Sequence, residues 1–167
     1  MGHVVTVQIY EQFSGLVEDS WVLRVGQQVL SLASPRETFA LDMLVADDHL
    51  LRSLNREFCG LDEVTDVLAF PLFEAAPQPT LAGDVFPSMP GGEHMLGEVI
   101  VSCSQALKQA EDRDIPLAWE IAHLFTHGIL HLLGYDHVNN DGEEMGNIEN
   151  EFLYRIVGVS GIHSLGR

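Results

Sequence analysis

Apolar and polar residues alternate along the first half of this chain in stretches that predict strands. Val5, Val7 and Ile9 are interleaved with Thr6 and Gln8, the period of two expected of a half-buried strand. Phe39, Leu41, Met43 and Val45 repeat the pattern, Val64 to Phe70 gives a third strand, and Leu96 to Ser102 a fourth. Helical spacing falls between them. Val22, Val25, Val29 and Leu32 recur by threes and fours behind Asp19 or Ser20 as a cap. Asp47 and Asp48 suit the start of a short helix carrying Leu50, Leu51 and Leu54. The C-terminal part predicts helices over about 103–113, 116–133 and 141–157. Asp141 and Glu144 form a capping box for the last, and Met145, Ile148, Phe152 and Ile156 line its buried face.

A loop separates the third and fourth predicted strands. It holds five of the seven prolines (Pro71, Pro77, Pro79, Pro87 and Pro90), and an ordered loop of that length is often functional. Neither side of it could easily complete a core alone, so residues 1–167 are expected to form a single domain. The class is α/β, with helices packed on a small sheet.

Composition narrows the picture. At 167 residues and 46% hydrophobic content the chain can bury a sizeable core. It has no apolar run long enough for a membrane span, and its N-terminus lacks the layout of a signal peptide. Cys59 and Cys103 stand far apart and indicate neither a disulfide framework nor a thiolate zinc site, which points to a reducing cytoplasm. Eight basic residues against 25 acidic ones give a net charge of −17. Broad affinity for nucleic-acid backbones needs many cations, so this balance argues against it while leaving room for a local basic groove.

Four of the eight histidines lie between His123 and His137, in HLFTHGILHLLGYDH. Residues four apart share a helix face, so His127 and His131 can converge on one ion. Gly134, three residues past His131, can take the left-handed conformation that ends a helix and lets the chain bring His137 back as a third ligand. Three imidazoles leave zinc an open fourth position, the catalytic pattern. His123, a further turn away, reads as a residue behind the site or in the core. Asp136 is either a carboxylate behind an imidazole or a solvated turn residue. The spacing is that of the long zinc-protease motif except at Gly128, where proteases place a glutamate as general base. That weakens a protease reading and leaves a hydrolytic metal site intact.

Three segments together carry a resemblance. HGILHLLGYDH, the stretch from Leu54 to Pro71 (LNREFCGLDEVTDVLAFP) and the run Leu96 to Ser102 (LGEVIVS) resemble the YbeY family of metal-dependent endoribonucleases, which mature ribosomal RNA. The order and spacing agree over about residues 40–155. The resemblance implies an α/β fold with helices around a four-stranded mixed sheet. It implies one zinc ion on His127, His131 and His137, with the metal site on a C-terminal helix and the turn that follows. It also implies single-strand-specific cleavage in 3′-end maturation of small-subunit ribosomal RNA and in ribosome quality control, with ribosome-associated proteins as partners. The family usually places an arginine where this chain has Cys59, and a lysine where it has Leu61. A guanidinium grips phosphate bidentately and a thiol does not. Arg56, three residues earlier, is a candidate substitute.

The expected chemistry is polarisation of a phosphoryl oxygen and activation of a bound water, the water's pKa falling toward about 7. Candidates for further catalytic roles are Arg56, Asp66 and Glu98, although Asp66 also suits a cap or turn beside Thr65. The competing readings are a metal-dependent hydrolase of a peptide-like substrate and a ribosome assembly factor with a mainly structural metal.

Overall fold

A computed structural model describes residues 2–72, 93–135 and 143–158. Its elements in chain order are β1 (Val4–Ile9), a 3-10 turn (Glu11–Phe13), α1 (Asp19–Ala33), β2 (Phe39–Ala46), α2 (Asp48–Cys59), β3 (Val67–Pro71), β4 (His94–Ser102), α3 (Cys103–Arg113), α4 (Leu117–Leu132) and α5 (Glu143–Val157). The strands lie in the order β1-β2-β4-β3. β1 and β4 run parallel to β2, and β3 runs antiparallel to β4. This is the four-stranded mixed α/β sheet expected.

Side chains alternate across a strand, so each strand feeds two faces. One face buries Leu41, Met43, Val45, Val99 and Val101 with residues of α1 and α4 in the main core, with Val5 and Val7 partly buried against it. The other carries Leu44, Ala46, Ile100, Leu68 and Phe70 against Leu50, Leu51 and Leu54 of α2. The expected apolar face of α5 also joins the main core: Met145 and Phe152 are buried, and Ile148 and Ile156 pack beside them.

Element boundaries differ from expectation where tertiary bonds intervene. The third strand starts at Val67 rather than Val64 because the turn before it is tied elsewhere. Asn55 of α2 donates to the Glu63 carbonyl at 3.0 Å, and the Ser102 amide donates to the Asp66 carbonyl at 2.8 Å. The fourth begins two residues early, at His94, whose amide donates to the Thr38 carbonyl at 2.7 Å. Helix α1 starts at Asp19 behind Glu18, whose side chain makes no capping bond, and Leu30 rather than Leu32 is fully buried. For α2 the cap is as expected: the Asp47 carboxylate accepts from the Leu50 amide at 2.9 Å. Asp141 of the expected capping box, and all of the 71–94 loop but its ends, lie outside the described residues.

One irregularity sets the direction of later side chains. The β2–β4 register shifts between Ala40 and Leu41, which pair with Met95 and Gly97, so Leu96 is an extra residue in β4. Leu96 therefore points into the same core as Val99 and Val101, and Glu98 points to the opposite face, directly across from Asp42. Burial and the Asp42 charge both raise the Glu98 carboxyl above its usual range.

Helix α4 lies close against the sheet through Gly128. A Cβ there would stand 2.5 Å from Val99 Cγ1, 3.3 Å from its Cγ2 and 3.4 Å from Val67 Cγ2. Gly128→Ala should gain roughly 1 kcal/mol in helix propensity but lose about 1–3 kcal/mol to overpacking. Net destabilisation in urea unfolding is the expected result, with partial recovery when Val99→Ala is added; a more stable single variant would refute the close contact.

Like charges directly opposite in a sheet are destabilising, by roughly 0.2–1 kcal/mol. Glu98→Gln should therefore stabilise the protein by about that amount at pH 7. The folded state holds the Glu98 proton more tightly than the unfolded chain does, so wild-type stability falls as pH rises through this group's titration. The advantage of the glutamine variant should vanish in acid, where both side chains are neutral; an advantage independent of pH would exclude charge as its cause.

Candidate metal centre

Helix α4 is apolar on most of its circumference, with Ile121, Ala122, Leu124, Phe125, Ile129, Leu130 and Leu132 buried. The histidines occupy what is left. His127 and His131, one turn apart, turn their Nε2 atoms toward each other at 3.0 Å, with ring centroids 4.5 Å apart and planes crossing at 77°. The helix ends as the glycine predicts. Gly134 has φ 95°, its amide donates to the His131 carbonyl at 3.0 Å, and the Tyr135 amide donates to the Leu130 carbonyl at 3.0 Å. This is a left-handed Schellman end that closes the helix one turn past His131. His137 and Asp136 lie outside the described residues. Among the described residues no group of three donors is placed to hold a metal ion.

Carboxylates stand behind the imidazoles. Glu149 of α5 is buried and hydrogen-bonds through Oε1 to His127 Nδ1. Its Oε2 lies 3.6 Å from His123 Nε2. His123 Nδ1 is 3.4 Å from Oε1 of Glu120, a carboxylate with no exposed surface, whose Oε2 accepts from Arg113 Nη1 at 3.1 Å. A line of polar contacts thus runs Arg113, Glu120, His123, Glu149, His127. Burial works against charge on His123, but the Glu120 and Glu149 carboxylates beside it hold the imidazole up at about 9. Burial likewise opposes the Glu149 anion, yet bonds from His123 and His127 hold its carboxyl down at about 2. His123 is thus linked to His127 through Glu149.

Sequence reasoning missed Glu149 and Glu120. Glu149 lies four residues after Met145 and three before Phe152, on the apolar face of α5. A single carboxylate on that stripe was the available signal. Glu120 sits seven residues before His127, on the histidine face of α4.

The other candidates lie elsewhere. Glu98 is turned by the extra residue in β4 to the face covered by α2, while α4 packs on the opposite one. Counted from the buried Leu96 by simple alternation it would have faced α4. Asp66 Oδ2 accepts from Gln109 Nε2 of α3 at 3.0 Å and its backbone carbonyl accepts from the Ser102 amide, so its carboxylate ties the turn to α3. Arg56 lies on α2, 3.8 Å from Asp62, which also takes two hydrogen bonds from Arg52 at 2.9 and 3.3 Å. Those bonds from Arg52 hold the Asp62 carboxyl below its usual range. Cys59, the last residue of α2, is exposed. Position 128 faces Val99, so a side chain there, the glutamate of the protease motif included, would first meet the valine.

Comparison with known proteins agrees with this fold. A solution structure of a Thermotoga maritima protein matches with a TM-score of 0.59 over 92% of this chain and 89% of that one, at 22% identity, which shows a shared fold. The protein named endoribonuclease YbeY from Moorella thermoacetica is 40% identical over 136 residues, covering 79% of this chain and 84% of that relative. Its namesake from Acaryochloris marina is 34% identical over 149 residues, 89% of this chain and 81% of the relative. The one from Caldicellulosiruptor bescii is 30% identical over 154 residues and 92% of each chain. The family model described as endoribonuclease YbeY matches residues 10–157. A mixed sheet backed by a histidine-bearing helix, relatives of this identity and a family match over nearly the whole chain agree: this protein belongs to the endoribonuclease YbeY family.

Proposed function

We propose that this protein is a zinc-dependent endoribonuclease that cuts single-stranded RNA during 3′-end maturation of small-subunit ribosomal RNA and in ribosome quality control. It would work in the cytoplasm with ribosome-associated proteins as partners, His127, His131 and His137 holding one zinc ion. The observation that supports this most directly is the approach of His127 Nε2 and His131 Nε2 to 3.0 Å on the helix that the family match includes. Nitrogens on a tetrahedral zinc, each about 2.0–2.1 Å from it, stand roughly 3.3 Å from one another. The pair therefore fits such an ion after a shift of a few tenths of an ångström.

When bound, zinc would polarise a phosphoryl oxygen and make a water acidic enough to ionise near neutral pH. The chain's own part is to present two imidazole nitrogens from a helix fixed against the sheet. Position 128 is a glycine and supplies no base, and a side chain there would clash with Val99. That disfavours peptide hydrolysis of the helix-glutamate kind.

Purified protein should cut a labelled single-stranded RNA, and cutting should disappear with His127→Ala and after chelation. Failure to cut by a preparation carrying stoichiometric zinc would refute the nuclease reading. Cys59→Arg would add a charge-assisted contact of roughly 1.5–3 kcal/mol to a phosphate. Initial rates at limiting RNA should then rise about tenfold or more; no change would mean that position 59 does not meet the substrate.

A further inference from the structure

The partner of His127 is an acid that can only accept. A carboxylate has no proton to give, so the hydrogen in the Glu149–His127 bond belongs to His127 Nδ1. In a neutral imidazole one nitrogen is then a donor and the other a lone pair. The nitrogen left as lone pair is Nε2, the one that faces His131 Nε2 at 3.0 Å. Glu149 reaches this position from a different helix and is itself held at both oxygens. Its second oxygen lies 3.6 Å from His123, and His123 is flanked in turn by the fully buried Glu120, which Arg113 anchors.

We propose that Glu149 is a positioning residue: it fixes the tautomer and ring orientation of His127 so that Nε2 is presented as a metal donor before any ion arrives. The inference rests on the metal-site reading above and gives it an outer carboxylate. Partners of this kind commonly control affinity by 10–100-fold. His123, Glu120 and Arg113 extend the arrangement by one layer. They hold Glu149 through its second oxygen, so that its first is committed to His127. A purely structural Glu149 would stabilise the packing of α5 on α4 without affecting which imidazole nitrogen carries the proton.

The test uses the full chain with zinc alone as the probe. The zinc dissociation constant is measured by competition with a chromogenic chelator for wild type, Glu149→Gln and Glu149→Ala, with His127→Ala as the reference for a lost ligand. Long-range nitrogen–proton NMR spectra of the zinc-free, histidine-labelled proteins report the His127 tautomer directly. The expected result is Nδ1–H at His127 in the wild type, loss of that pattern in Glu149→Ala, and zinc binding weakened about 10–100-fold in both variants. If Glu149→Ala fails to fold, Glu149→Gln decides, since it keeps the shape but replaces the anion. Unchanged affinity with an unchanged tautomer in Glu149→Gln overturns the proposal. Wild type that binds zinc no better than His127→Ala refutes the metal-site reading itself. The tautomer spectra then decide the role of Glu149: Nδ1–H lost with the carboxylate supports orientation, and Nδ1–H retained without it overturns it.

Discussion

The central constraint in this molecule is that α4 is enclosed. The sheet lies under it at Gly128, and α1, α3 and α5 pack around it. A helix in that position has little solvent to satisfy its polar groups, so each must find a partner inside the protein. Thr126 donates back to the Ala122 carbonyl, Glu120 meets Arg113 and His123, and His127 meets Glu149. The imidazoles of His123 and His127 are partly exposed, at 24% and 27%. Enclosure thus dictates where the polar line runs, along the one face of α4 whose imidazoles keep some exposure.

Local periodicity revealed most of the architecture. Strands β1 and β2 and the apolar faces of α2 and α5 were readable because side-chain period and burial agree in them. The end of α4 at Gly134 was readable because a helix closing there needs a residue at positive φ. What stayed hidden depended on contacts distant in sequence. The face of Glu98 turns on one unpaired residue, Leu96, whose presence as a bulge is known only from its pairing across to β2. Glu149 lies 22 residues after His127 and resembles a stray charge on an apolar stripe until α5 docks. The histidine spacing was legible because two of its members share one helical turn. The carboxylates behind them were not: Glu149 comes from another helix, and Glu120, two turns before His127 on α4, is tied to the site through His123 and Glu149.

Charge in this protein has two scales. Overall the chain carries −17, which opposes the approach of a polyanion. Locally two of its carboxylates are buried and committed to imidazoles and a guanidinium, so they act as fixed acceptors inside the fold instead of adding to the exposed negative surface. On α2, Arg52 and Arg56 are both engaged by Asp62. The basic groups of that helix are therefore already paired near the exposed Cys59, where relatives are expected to present an arginine.

The contact between Gly128 and Val99 bears on the evolutionary distance between chemistries. Written as a motif, this histidine run is one letter from that of a zinc peptidase. In three dimensions the route is longer, because any side chain at position 128 meets a valine rooted in a central strand whose neighbours fill the core on both sides. Strand and helix would have to change together, and the intermediates with only one change would carry either a clash or a void. Lineages with this packing are in that sense trapped on one side of a single codon.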